Sequence, residues 1–265
     1  MWKTLTLLGF LLVSQTLAFQ PTILGKEPKQ CYPHSKLQES ANDVVETTST
    51  GSSTSSLKKD LLELAASYDR GFGASPSARS RVDDLIAALE ALNEETEAAR
   101  GVDGSEASPL AGSWRMIWTT ASDVLVLGAS PVATVGAIYQ IFDPLPVVTN
   151  VIDFIPRLQA LLPPSIVPSS LVRAKVQTKA SLRPGFPNRV GLWFESVNLQ
   201  PVQVLGVDAK QLPPFAANLP KLPGQPSDDG PGYFDVTYLD EELLIIRQNA
   251  PGGLFALVKV QDTEP

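Results

Sequence analysis

Between Val172 and Arg183 the side chains alternate without a break. Val172, Ala174, Val176, Thr178, Ala180 and Leu182 take one parity, and Arg173, Lys175, Gln177, Lys179, Ser181 and Arg183 the other. A period of two sends successive side chains to opposite faces of a strand. One dry face and one cationic, wet face is the pattern of an antiparallel sheet, because parallel sheets are buried on both sides. Pro184-Gly185-Phe186-Pro187-Asn188 is a turn, and Arg189 to Leu199 resumes the alternation through Val190, Leu192 and Phe194. The two segments therefore make a hairpin.

The same period recurs on both sides of this hairpin. It predicts strands at Ser113 to Thr120, Val135 to Phe142, Val147 to Asp153, Val202 to Val207, Gly232 to Tyr238, Leu243 to Gln248 and Leu254 to Val260. Short loops at Asp240-Glu241 and Asn249 to Gly253 join the last three. About eight meandering strands with no long helix between them favour a closed or nearly closed antiparallel barrel over a parallel sheet. The proline-rich stretch from Gln211 to Pro231 reads as an irregular loop.

Ahead of the strands the period is helical. Leu57, Leu61, Leu64, Ala65 and Tyr68 form one stripe, ended by Gly71, Gly73 and Pro76; Val82, Leu85, Ile86, Leu89 and Leu92 form a second within Ser77 to Arg100. Both stripes fit packing against the rest of the domain. The expected chain is mainly β: an antiparallel barrel over 110–262, preceded by two N-terminal α-helices over 57–100.

Residues Met1 to Ala18 read as a secretory signal peptide, with Lys3, an apolar run from Leu5 to Val13, and Thr16-Leu17-Ala18 as a cleavage site. The apolar run is shorter than the roughly 20 residues that span a bilayer. Residues 19–56 are poor in apolar side chains, and Thr47 to Ser56 is nearly all Thr, Ser and Gly, so disorder is expected there. This segment is either a flexible linker of an exported protein or an address. Phe19-Gln20-Pro21 directly after Ala18 resembles the start of the transit peptide in the two-part presequences of algae with secondary plastids. Glu27, Glu39, Asp43 and Glu46, and the absence of Arg, depart from that pattern.

The chain's one cysteine, Cys31, and one histidine, His34, both fall in that segment. The body at 57–262 therefore offers no internal disulfide, no Cys or His metal site and no Ser-His or Cys-His pair. A net charge of −7, from 21 basic and 28 acidic residues, argues against nucleic acid as a partner. Asp143, Asp153, Glu195, Asp208, Asp235 and Asp240 lie in or beside strands without a diagnostic pair spacing, and Asp240 suits a turn that bonds its own backbone. No glycine-rich phosphate loop is present. No catalytic residue, metal ligand or cofactor is assigned.

Two motifs carry a family resemblance. Leu110-Ala111-Gly112-Ser113-Trp114-Arg115-Met116-Ile117-Trp118-Thr119-Thr120 is similar to the opening strand of the fibrillin, or plastid lipid-associated protein, family. Tyr238-Leu239-Asp240 through Arg247-Gln248-Asn249, followed by Gly252-Gly253-Leu254-Phe255-Ala256-Leu257, is similar to its closing strands. The likeness runs from Leu57 to Val260. It implies a lipocalin-like barrel in a chloroplast, attached to thylakoids or plastoglobules, that binds or stores a prenylquinone, carotenoid or other apolar lipid; the residues themselves favour a non-catalytic protein. It also implies that Gly112 and Trp114 open the first strand at the barrel floor, with Arg247 laying its guanidinium over the indole.

An eight-stranded barrel either fills with side chains or holds one small ligand. The inward candidates are Trp118, Val176, Thr178, Ala180, Leu192, Phe194, Phe234, Val236 and Phe255. The residues leave both outcomes open, and the resemblance favours a cavity. With a filled barrel the protein would instead coat globules or support a lipid-synthesising enzyme. The apolar stretches Ala121 to Leu145 and Val151 to Val167 could form a lid with a helical turn at Asp123 to Leu127, or a patch that docks on lipid.

Overall fold

The computed structural model describes residues 49–163, 165–218, 232–249 and 252–261. The expected signal peptide, Cys31, His34, most of 19–56 and much of the proline-rich loop before Gly232 lie outside the described residues.

Two helices lead in: α1 at Ser49–Ser67 and α2 at Pro76–Glu90. The first begins ahead of its apolar stripe, since a helix nucleated at Leu57 to Leu64 extends at little cost into Ser and Thr residues. Ser75 caps α2, its hydroxyl accepting from the Ala78 amide at 3.2 Å, and Pro76 takes the first helical position. The second helix stops at Glu90, short of the expected Arg100. Asn93 ends the run: its carboxamide donates to the Glu95 carbonyl at 2.8 Å and accepts from the Leu239 amide at 3.1 Å. The residues beyond gain more as a plug, where Ala98, Ala99 and Val102 are fully buried under the barrel.

Eight strands close the ring. They are β1 (Gly112–Thr119), β2 (Ala133–Phe142), β3 (Val147–Pro156), β4 (Leu171–Leu182), β5 (Arg189–Val204), β8 (Gly232–Leu239), β9 (Leu243–Gln248) and β10 (Gly253–Val260); β6 (Val207–Asp208) and β7 (Phe215–Asn218) pair only with β5. Every pairing is antiparallel. The order β4-β3-β2-β1-β10-β9-β8-β5 is completed by the long β4–β5 hairpin. The strand expected at Val202 to Val207 is not separate. It is the end of β5, which turns back at Leu205-Gly206, where both residues have positive φ.

Each strand of the β1, β9 and β10 wall is buried on both sides. Inward, Trp114, Met116, Leu244, Ile246 and Leu257 belong to the barrel core. Outward, Ile117, Trp118, Leu243, Ile245, Leu254 and Ala256 pack under α1 and α2 against Leu61, Val82, Ile86 and Leu89. The helical stripes thus cover half of the barrel. The wall from β2 to β5 has no such cover, and polar pairs stitch its outer face. Arg173 forks onto Asp153 at 2.7 and 3.0 Å, and Arg189 onto Asp235 at 2.7 and 2.9 Å between the rings of Phe186 and Tyr233.

Candidate functional site

Alternation directs one set of side chains from each of the eight strands into the barrel. At the foot this space is filled. Trp114 is fully buried and its indole N–H donates to the Leu110 carbonyl at 2.8 Å, which ties the 98–110 plug to β1. Phe142 meets Phe234 edge-on with centroids 6.3 Å apart. The cation over the Trp114 ring is Lys259, its Nζ 5.1 Å from the centroid. Arg247 does not take that place. It faces outward from β9 opposite Leu254, near the far end of β10 from Lys259, and forks onto Glu90 of α2 at 2.7 and 2.9 Å. Lys259 stands directly across from Trp114 in the β1–β10 register, so an inward residue on β10 reaches the indole and an outward one on β9 cannot. Gly112 adjoins this contact; at its φ of +119° a β-carbon would lie 3.1 Å from the Lys259 side chain.

Trp118 also departs from expectation. A bulge between Met116 and Trp118 turns it outward, and it lies fully buried beneath the helices, not in the barrel. Its indole N–H has no hydrogen-bond partner among the described residues.

The other inward candidates fall on the inner wall by register. Ala180 pairs with Leu192, Thr178 with Phe194, and Val176 with Val197 across β4–β5; Phe234 and Val236 belong to the core and Phe255 packs against it. Thr178 is fully buried, and its hydroxyl donates to the Val148 carbonyl at 2.9 Å. Burial changes along the barrel. Trp114, Met116, Phe142 and Leu244 at the foot retain at most 1% exposure, whereas Val176, Leu192, Phe194 and Phe255 stay partly exposed although they point inward. Packing is thus tightest at the foot, and partial exposure among the inward side chains is found on β4, β5 and β10.

The mouth is partly roofed. After β1 the chain forms α3 (Ser122–Leu125) and a short 3-10 turn, Val126–Ala129, at the expected helical turn. Val124 and Leu127 pack against the core, together with Phe72 from the α1–α2 link. Arg157, at the start of α4 (Arg157–Leu161), holds the roof by donating to the carbonyls of Ser130 and Gly128, both at 3.1 Å. Arg70 donates to the carbonyls of Val135 and Gly136 at the β2 bulge. Around this roof the loops of one barrel end expose Val126, Val132, Leu158, Leu161, Ile166, Leu205 and Val207, each more than half exposed.

Sequence reading missed two inward residues, Gln140 and Asn150. Gln140 follows Ile138 and precedes Phe142 on β2, and Asn150 lies between Val148 and Ile152 on β3, all four apolar neighbours being core residues. A polar residue at an apolar parity was the available signal.

Two open grooves lie outside the barrel. One of about 530 Å³ runs between α1 and α2 past Leu57, Asp60, Leu64 and Leu85; another of about 630 Å³ lies beside Arg79, Asp83, Thr120, Arg247 and Gly253. Three of the strand carboxylates are engaged structurally. Asp153 and Asp235 hold the arginines above. Asp240 accepts from the backbone amides of Glu242 and Leu243 at 2.9 Å, from Tyr238 at 2.6 Å and pairs with Lys58 at 2.7 Å. Burial alone would raise the Asp240 carboxyl, but the bonds from Lys58, Tyr238 and the two amides hold it below the usual carboxylate range. Burial, then the bond to Asp240, pushes the Tyr238 phenol well up. Among the described residues no cluster of three His, Cys, Asp or Glu could hold a metal, and no helix is long and apolar enough to cross a membrane.

Comparison with known proteins follows the same lines. The chain is 29% identical over 231 residues to a probable plastid-lipid-associated protein 3, chloroplastic, of rice (Oryza sativa subsp. japonica), covering 77% of this chain and 58% of that one. It is 27% identical over 239 residues to a probable plastid-lipid-associated protein 10, chloroplastic, of Arabidopsis thaliana, covering 78% of each chain. Plastid-lipid-associated protein 6, chloroplastic, of the same plant is 28% identical over 204 residues, 72% of this chain and 66% of that one. The chain thus spans less than two thirds of the rice relative's length. No solved structure matches. The family model described as PAP_fibrillin matches residues 55–258, from within α1 to the end of β10, and the chain belongs to that family.

Proposed function

We propose that this protein holds an apolar isoprenoid or lipid, such as a prenylquinone or carotenoid, in the upper half of its barrel, and that it does so in a plastid without catalysing a reaction. The observation that carries the reading is that the inward apolar side chains Val176, Leu192, Phe194 and Phe255 remain partly exposed, whereas Trp114, Met116, Phe142 and Leu244 at the foot are fully buried. An apolar pocket with few polar groups is what such a ligand requires. The chloroplastic relatives and Phe19 after the leader support the compartment. The exposed aliphatic ring around the mouth suits contact with a thylakoid or plastoglobule surface, so that a ligand passes between lipid and barrel without crossing water. Arg157 spends its guanidinium on the roof, so the contact is hydrophobic and insensitive to salt.

Solvent extraction and mass measurement of the full-length chain, isolated from plastids, test this. A stoichiometric apolar molecule is the expected result. A chain that comes out empty yet floats with lipid vesicles supports the rival reading, a globule coat or enzyme-supporting protein, which the filled foot favours. A chain that neither carries nor floats refutes both.

A further inference from the structure

We propose that Gln140 and Asn150 form a head site on the inner wall, which binds the neutral oxygen, carbonyl or hydroxyl, at one end of an otherwise apolar ligand. The proposal rests on the carrier reading above and narrows its ligand class.

The two residues are cross-strand partners in the β2–β3 register. Both face inward: Gln140 opposes Trp114 on β1, and Asn150 opposes Val176 on β4. Two carboxamides thus stand side by side in a wall that is mostly aromatic and aliphatic. Gln140 is 7% exposed, Asn150 is half-buried, and neither carboxamide bonds to another described residue. Their amide atoms are not sealed from solvent, so they are open to a ligand's oxygen. Below them the foot is closed by Phe142 and Trp114; above them Ile138 and Ile152 lead toward the partly exposed side chains under the mouth. A ligand entering from the mouth therefore meets the amides last, oxygen end first, with its tail along the aliphatic wall.

The chemistry of the pair selects the head. A carboxamide offers both N–H donors and a carbonyl acceptor, so it serves a ketone or quinone oxygen and a hydroxyl alike. An ionised head would need a facing charge. The nearest cation in this row, Lys259, sits across Trp114 with its ammonium over the indole, at the exposed foot.

The test uses the full-length chain and two compounds with the same tail, a decyl-substituted benzoquinone and decylbenzene. Calorimetric titration compares wild type with the near-isosteric double variant Gln140→Met/Asn150→Leu. The quinone is expected to bind the variant about tenfold more weakly, the loss of one to two hydrogen bonds, while decylbenzene affinity stays within about twofold. The variant without ligand is expected to melt no lower than wild type, because the amides have no partner there. Equal weakening of both compounds, an unchanged quinone affinity, or a lower melting point of the ligand-free variant would each overturn the head site while leaving the carrier reading intact. Wild type that takes up neither compound refutes the carrier reading and the head site together.

Discussion

Trp114 and Trp118 lie on one strand, four positions apart, and both are fully buried. They differ in one respect: the Trp114 N–H donates to the Leu110 carbonyl, whereas the Trp118 N–H has no partner among the described residues. Replacing each by Phe removes the same atoms. The lost volume, roughly 35 Å³, costs about 1 kcal/mol at either site if the surroundings do not collapse. Trp114→Phe also leaves the buried Leu110 carbonyl unsatisfied, adding about 1–3 kcal/mol. Trp118→Phe deletes a buried donor that already lacks a partner, so about 1–3 kcal/mol of existing penalty disappears. The expected outcome is a loss of about 2–4 kcal/mol for the first variant and none, or a gain of up to about 2 kcal/mol, for the second. Urea unfolding followed by far-ultraviolet circular dichroism measures both. In a domain of this size the melting points should differ by at least about 4 °C. Equal destabilisation of the two variants, within about 0.5 kcal/mol, would refute the reasoning, since packing alone would then account for both residues.

Further outcomes follow from the same contacts. Lys259→Met should lower stability by about 0.5–1 kcal/mol through loss of the cation over Trp114. Arg247→Ala should cost under about 1 kcal/mol, its side chain being 48% exposed; ligand uptake should be untouched, and a large loss of uptake would return Arg247 to the barrel. Gly253→Ala should lower the unfolding free energy in urea by about 2–3 kcal/mol or more, because φ is +135° and the new β-carbon would lie 2.5 Å from the Ala121 α-carbon. Asp240 is held below its unfolded value in the folded chain, so its contribution is present above about pH 4 and vanishes as pH falls through the folded pKa. Lys58 is raised in spite of its burial, by its bonds to Asp240 and Glu242, so its share persists below about pH 10 and is lost only in strong alkali. Melting of wild type and Asp240→Asn should therefore differ by a constant amount between pH 5 and 9 and converge toward pH 3.

The barrel was legible because most of its strands are wet on one side. Along β4 the outer positions are charged or polar, so parity alone assigned Val176, Thr178 and Ala180 to the interior. The reading failed where a strand has no wet side. In β9, Leu243, Leu244, Ile245 and Ile246 are all buried, alternately under the helices and inside the barrel, and the sequence carries no alternation to separate them. β1 has the same difficulty, with a bulge that resets its parity at Trp118. The Arg247 assignment came from the family pattern, and register overruled it: the ion pair with Glu90 fastens α2 to the outer wall, a role that requires knowing where the helix lies. The end of α2 depended likewise on a distant partner, Leu239, for Asn93.

These differences bear on how a barrel that holds a ligand, as proposed, could also be stable. A cavity forfeits contacts that a filled core would make, so the energy has to come from elsewhere. Here the β9, β10 and β1 wall is buried on both faces, and the plug of Ala98, Ala99, Val102 and Leu110 closes the foot. Closure of the ring thus does not depend on what occupies its upper half. The wall from β2 to β5 has no helices over it, and it is the wall that carries Gln140 and Asn150. A chain whose fold depended on its cargo would unfold on delivering it; the doubly buried wall and the plug would let this one, as a carrier, stay closed without a ligand.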